Sequence, residues 1–180
     1  MIEIELQPFE RSDFARLISW LPSQKEVLIW GGMIFHYPLD ELQLEKYLQV
    51  AETDQPARKI FKAVKTNTNE AVGHIELDQI DRHNMSARIS RVLVGDSSLR
   101  GKGIGSQMVR QVLQVGFDEL GLHRLFLGVF EFNQPAIYCY EKIGFVREGL
   151  LRDVLRVGDG YWSAYIMSVL ESEWRAQQVK

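Results

Sequence analysis

The chain predicts a mixed α/β sandwich: one mostly antiparallel sheet of six to seven strands, with helices on both faces. Three observations lead there. Strand-like runs between residues 59 and 94 are separated by short polar turns. Two amphipathic helical stripes, opening near Ile104 and Pro135, bracket the near-continuous apolar run Arg124–Phe130. A hairpin signal, Gly158-Asp159-Gly160, parts two last strands. Elements in this order pack as layers around one sheet.

The first strand is expected at residues 2–6. Ser12 and Asp13 can cap a helix whose Phe14, Leu17, Ile18 and Leu21 recur at i, i+3, i+4 and i+7. A second helix starts at Asp40. Gln43 stands three residues on, as a capping box requires, and Leu44, Tyr47, Leu48 and Ala51 share a face. Between these helices, residues 27–38 hold Trp30, Gly31, Gly32, Phe35 and Tyr37. This aromatic, glycine-rich loop reads equally as a hydrophobic plug or as one wall of a site.

Strands follow at Lys59–Lys65, 71–80 and 87–94, with polar turns at Thr66-Asn67-Thr68-Asn69 and residues 81–84. That spacing makes an antiparallel meander. In the third run Ala87 and Ile89 lie on one parity, Val92 and Val94 on the other. A β-bulge slips the phase in this way; a strand covered on both faces reads the same. A glycine-rich loop then opens a helix striped by Ile104, Met108, Val112, Gly116 and Leu120. Arg124–Phe130 suits a strand buried on both faces. Asn133-Gln134-Pro135 opens a further helix, which Gly144 closes. Strands at Val146–Val157 and 161–170 end the chain.

A length of 180 residues fits a single domain over 1–180. The 46% of hydrophobic residues can fill a core, and 25% of charged residues in mixed sign argues against disorder. Net charge of −3 and a pI near 5.8 argue against nucleic acid as the main partner. The lone Cys139 excludes an intrachain disulfide. The opening Met1-Ile2-Glu3-Ile4-Glu5 has no basic or apolar leader, and no run is long enough to span a membrane. A cytoplasmic location is the expectation. His36, His74, His83 and His123 show no metal-ligand spacing, so no metal is expected.

Three phosphate loops compete for Gly101-Lys102-Gly103-Ile104-Gly105. The P-loop fails: five residues, not four, separate Gly95 from Gly101, and Gly103 stands where Ser or Thr should hold a metal. The dinucleotide loop fails because Ser106 replaces its last glycine and the preceding strands form a meander. What remains is Arg-x-x-Gly-x-Gly between a strand and a helix. Its glycines allow close backbone approach, the first helical N–H groups are unpaired, and the dipole favours an anion. Arg100 and Lys102 add charge. An ordinary glycine-rich turn has the same pattern.

Taken together, Val92-Leu93-Val94, Arg100-Gly101-Lys102-Gly103-Ile104-Gly105, Asn133 with Ala136, and Tyr140-Glu141-Lys142-Ile143-Gly144-Phe145 resemble the GNAT superfamily of acetyl-CoA-dependent N-acetyltransferases. The resemblance covers nearly the whole chain. It is strongest to the branch of ribosomal-protein N-terminal and spermidine acetyltransferases, to which Phe145-Val146-Arg147-Glu148-Gly149 and residues 167–174 are similar. It implies transfer of acetyl from acetyl-CoA to a primary amine by direct attack. The acceptor would be a protein N-terminus, a polyamine or a small-molecule amine. A non-catalytic acyl-CoA-binding regulatory domain on the same fold is the alternative. A homodimer is left open.

By the same resemblance, the loop from Arg100 through Ser106 binds the CoA diphosphate. Val92, Leu93 and Val94 lie along the pantetheine, and Asn133 and Ala136 contact CoA beyond the next strand. Tyr140 stands near the thioester sulfur, where a hydroxyl can protonate the leaving thiolate. Glu76 is the first candidate for the base, because Gly73-His74-Ile75-Glu76-Leu77 resembles spermidine-type members at a carboxylate-bearing position. Asp78, Glu131 and His74 are further candidates; all four also read as structural or solvated residues, and a water chain could serve instead. One departure stands out. After Ala87, many members of the branch carry an acid, and this chain has Arg88. That weakens a polyamine acceptor, since polycations want carboxylates. Cys139 reads as a core filler, not a covalent nucleophile.

Overall fold

A computed structural model describes residues 2–178. Met1 of the expected leader-free start, and residues 179–180 of the expected domain, lie outside them. Strand β1 is Ile4–Pro8, two residues later than its expected span. Three short helices follow: α1 Phe14–Ser19, α2 Gln24–Gly31 and α3 Glu41–Gln49. The meander is β2 Lys59–Lys65, β3 Ala71–Asp81 and β4 Ser86–Val94. Then come α4 Ile104–Gln114, β5 Arg124–Phe130, α5 Gln134–Ile143, β6 Val146–Val157, β7 Gly160–Leu170 and α6 Glu171–Gln178.

The seven strands form one sheet in the order β1-β2-β3-β4-β5-β7-β6. Every neighbouring pair is antiparallel except β4 and β5, which run parallel. Helices cover both faces. On one, Met108, Val112 and Phe117 pack with Ile75, Leu77, Ile89, Leu125 and Leu127. On the other, Leu17, Val27, Trp30, Leu44 and Tyr47 pack with Phe9 and Ile60. Alternation along β3 therefore sends Ile75 and Leu77 into the first core and His74 and Glu76 toward the second.

Local signals explain the elements. Asp40 caps α3 by accepting from the Gln43 N–H at 2.8 Å, while the Gln43 amide reaches past the cap to the Pro38 carbonyl. Asp13 does not cap α1 with its side chain. A short turn, Arg11–Asp13, precedes the helix, and Asp13 closes a box with Glu10. Leu21 falls past the end of α1 yet is buried. The expected loop at 27–38 is partly helical. Ser23 accepts from the Glu26 N–H and starts α2, and Gly32–Ile34 make a further turn. Along α4 the stripe runs on through a wider turn, Val115–Glu119. Gly116 allows the helix to lie against β5, for a Cβ there would stand 2.5 Å from Leu125. Gln107 and Gln111 bond the edge strand β1 through the Ile4 and Leu6 N–H groups, which covers a free sheet edge.

Candidate active site

The site opens where β4 and β5 separate. They pair from Ser86↔Arg124 to Ile89↔Leu127 and no further. On the other side of β4 the register against β3 jumps: Glu76 faces Ser90, but His74 faces Leu93. The extra residue is a bulge, with Arg91 at φ +53°. The phase slip between Ile89 and Val92 thus marks a bulge, and not merely a strand covered on both faces. Past it, no strand among the described residues pairs with the β5-facing edge of Val92, Leu93 and Val94. A cleft of about 1030 Å³ runs through this opening, from the glycine loop to β6 and β7.

Most of the expected cofactor residues line this cleft. Val92, Leu93, Val94, Arg100, Gly101, Gly103, Gly105, Ser106, Asn133 and Ala136 do, as does Tyr140, the expected acid; Lys102 and Ile104 do not. Ile104 points into the core, 1% exposed, so only its backbone can face the loop. Lys102 lies exposed on the loop. Gly101 at φ +75° and Gly103 at φ +83° need no room for packing, since a Cβ at either meets nothing. They are glycines for their left-handed backbone. Gly103 is the N-cap of α4, whose first intrahelical bond is Gln107 N–H to the Gly103 carbonyl. The N–H groups of Ile104, Gly105 and Ser106 are therefore free to meet an anion. This cradle fits a diphosphate.

Tyr140 projects from the middle of α5 and packs its ring on Phe145. Burial pushes its phenol well above the usual tyrosine range, so the hydroxyl keeps its proton at neutral pH. It makes no hydrogen bond among the described residues. Asn133 caps α5 through the Ala136 N–H at 3.4 Å, which gives it a structural duty as well. Cys139 lies 3.1 Å from the Ser106 hydroxyl and joins α5 to the start of α4.

None of the four candidate bases lines the cleft. Glu76 is fully buried. It accepts hydrogen bonds from the Tyr47 hydroxyl at 2.5 Å and the Ser90 hydroxyl at 2.8 Å. It also pairs with Arg91 and, at 3.5 Å, with Arg58. His74 is 1% exposed and shares a 3.1 Å hydrogen bond with Tyr47. Burial, helped by the Arg91 charge, pushes its imidazole down to about 3, so it is neutral at physiological pH. Asp78 is buried, with Arg91 at 3.6 Å. Glu131 is exposed beyond the end of β5.

Other cleft residues come from the aromatic segment whose role the sequence left open, and from Glu26 and Arg91, to which it gave none. Trp30, Gly31, Gly32, Met33 and Ile34 form one wall, so the aromatic segment serves as plug and wall together: Trp30 and Phe35 also belong to the second core. Glu26 is the sole Asp or Glu side chain lining the cleft among the described residues. Its signal was available, because Ser23-x-x-Glu26 is a capping-box pattern. Arg91 sits in the opening, its guanidinium over the rings of Phe35 and Tyr47. Among the described residues no helix is long and apolar enough to cross a membrane.

Residues 32–145 match the model of the Acetyltransferase (GNAT) family. The L-amino acid N-acetyltransferase AaaT of Escherichia coli K12 is 30% identical over 169 residues, covering 93% of this chain and 98% of that protein. The spermidine N(1)-acetyltransferase of Vibrio cholerae is 26% identical over 172 residues, covering 96% and 95%. The solved structure of spermidine N-acetyltransferase from Vibrio cholerae in complex with CoA and spermine aligns with a TM-score of 0.81 at 25% identity, covering 96% and 98%.

Proposed function

The chain belongs to the acetyltransferase (GNAT) family and is an N-acetyltransferase, and on that premise we propose that it binds acetyl-CoA in the β4–β5 cleft and passes the acetyl group directly to a primary amine. The diphosphate rests on the free N–H groups at the start of α4, with Arg100 beside them. The pantetheine runs along Val92, Leu93 and Val94, whose outer edge has no partner strand. The amine enters from the side of Trp30, Met33 and Ile34 and the β6–β7 wall. Its proton passes to water in the open cleft, since among the described residues the cleft supplies no imidazole and its one carboxylate, Glu26, is held by the Ser23 hydroxyl. A free N–H at the bulge serves the oxyanion. Tyr140, protonated and with no partner for its hydroxyl among the described residues, protonates the departing thiolate.

Glu76 takes a different part from the base. Enclosed and held by four side chains, it anchors Arg91 and so fixes the bulge that opens the cleft. Acceptors known from the names of the relatives are spermidine and L-amino acids; either class presents a primary amine, as does a peptide N-terminus. The enzyme works in the cytoplasm in this reading.

The observation that carries the proposal is the parting of β4 from β5 after Ile89 and Leu127, with Tyr140 and the Gly101–Gly103 cradle on the same cleft. Acetyl-CoA turnover over a panel of amines, read by free thiol release, tests it. Intersecting double-reciprocal lines are expected for direct attack; a bound acetyl-CoA that no amine discharges would mean a binding domain instead.

A further inference from the structure

Arg88 is a cation of the cleft whose guanidinium no side chain among the described residues bonds. It stands on β4 opposite Asp78 of β3 and Phe126 of β5. Ala87 and Ile89 on either side of it point into the first core, so Arg88 points to the opposite face. The guanidinium over the Phe126 ring is that of Arg124. A Cβ built on Gly128, two residues further along β5, would lie 3.5 Å from Nη2 of Arg88. The side chain thus runs along the sheet toward the vertex where β4 and β5 part. Gly128 is exposed there and lines the same cleft.

Arg88 makes no hydrogen bond and no ion pair among the described residues, although it is half-buried. Asp78, cross-strand from Arg88, feels its charge and keeps Oδ1 without a hydrogen-bond partner among the described residues, yet the two form no ion pair. Glu76 holds Arg91 and Arg58, and Asp78 faces Arg91 at 3.6 Å. With Arg58, Arg88 and Arg91 set against Glu76 and Asp78, the strands behind this part of the cleft carry one more cation than anion. Glu26 lies on the α2 wall and is bonded to the Ser23 hydroxyl at 2.8 Å. The pantetheine edge begins at Val92, four residues beyond Arg88, so the guanidinium lies on the acceptor side of the vertex. Apolar side chains surround the approach: Phe130, Leu151, Val154, Leu155 and Ile166.

We infer that Arg88 reads a carboxylate on the acceptor, and that the enzyme acetylates α-amino acids with apolar side chains in preference to polyamines. The inference rests on the acetyl-transfer reading above and narrows its acceptor. A planar guanidinium binds a carboxylate through two parallel N–H donors. In an α-amino acid the carboxylate is one carbon from the amine, so fixing it at the vertex aims the amine at the opening. A polyamine offers Arg88 only repulsion.

The test compares acceptors that differ in the carboxylate alone. L-phenylalanine, L-phenylalaninamide and phenethylamine form one such set, run beside the remaining L-amino acids and spermidine. The expected result is a kcat/KM for the preferred amino acid about 10- to 100-fold above its amide and its decarboxylated amine, the range of a charge-assisted bidentate contact. In Arg88→Gln that preference shrinks to about threefold or less through a higher KM for the amino acid, and Arg88→Lys recovers part of it. The KM for acetyl-CoA stays unchanged in both. Equal or better turnover of spermidine or phenethylamine by the wild-type enzyme overturns the inference and leaves acetyl transfer standing. Acetyl-CoA binding without turnover on any amine overturns both. The wild-type comparison stands even if a variant fails to fold.

Discussion

The Arg91 guanidinium meets the Glu76 carboxylate inside the protein, at the step where β4 turns away from β5. Arg91 is the bulged residue, its backbone in the left-handed region at φ +53°, and its side chain is 9% exposed. Burial pushes the guanidinium down to about 10, which leaves it charged at neutral pH. The pair ties the middle of β3 to the bulge of β4, where neither Arg91 nor Val92 has a partner in the register.

Breaking this pair from either side should unsettle both stability and the cleft. Arg91→Met leaves a buried carboxylate without its cation, and Glu76→Gln leaves the reverse. Each is expected to cost about 3–5 kcal/mol in urea unfolding, and the double variant less than the two combined. The KM for acetyl-CoA should rise while the pH profile of kcat keeps its shape. A profile that loses its basic limb in Glu76→Gln, with stability intact, would restore Glu76 as the base.

Gly103→Asp tests the cradle. The residue sits at φ +83° with open space around it, so aspartate adds modest backbone strain and no clash. It does place a negative charge where a diphosphate should rest. Calorimetric titration should show acetyl-CoA affinity reduced at least about tenfold, converting to about 1.4 kcal/mol or more. Unchanged affinity in a folded variant would remove the loop from the binding site.

Much of this architecture was legible because turns punctuate it. Thr66–Asn69 and Gly158-Asp159 bound strands whose ends fell within a residue or two of those expected. The bulge left its trace in the parity slip around Arg91. Helix α2 was read as loop because Gly31, Gly32 and the aromatic residues looked like breakers, and the Ser23–Glu26 box was passed over. Helix α6 went unassigned. The Tyr47–His74–Glu76–Arg91 cluster was not legible, since it joins residues up to 44 apart (47 to 91) through strand register that no local pattern encodes. For the same reason Glu76 read as a cleft carboxylate when its strand parity points it into the second core.

His74 should make the protein acid-sensitive. Its folded-state pKa, about 3, lies below the 6.5 of the unfolded chain. Between these values the unfolded chain binds a proton that the folded protein does not. Stability from this group is therefore present above pH 6.5 and lost as pH falls, at about 1.4 kcal/mol per unit. Asp78 works in the opposite sense, because burial raises its pKa. The contribution of His74 is isolated by comparing wild type with His74→Phe. Their stability difference should narrow by about 2 kcal/mol between pH 7 and pH 5; a difference independent of pH would contradict the assignment.

The most direct measurement is the single-turnover rate of acetyl transfer in Tyr140→Phe, with acetyl-CoA affinity determined alongside. The substitution keeps the ring against Phe145 and removes only a hydroxyl with no partner among the described residues, so the melting temperature should move little. Loss of a general acid costs about 10²–10⁴ in rate, and water in the cleft can replace part of it. The account predicts a rate at least about tenfold lower, with affinity for acetyl-CoA unchanged within a few-fold. A near-normal rate of the chemical step would make Tyr140 a packing residue and contradict its place at the centre of acetyl transfer.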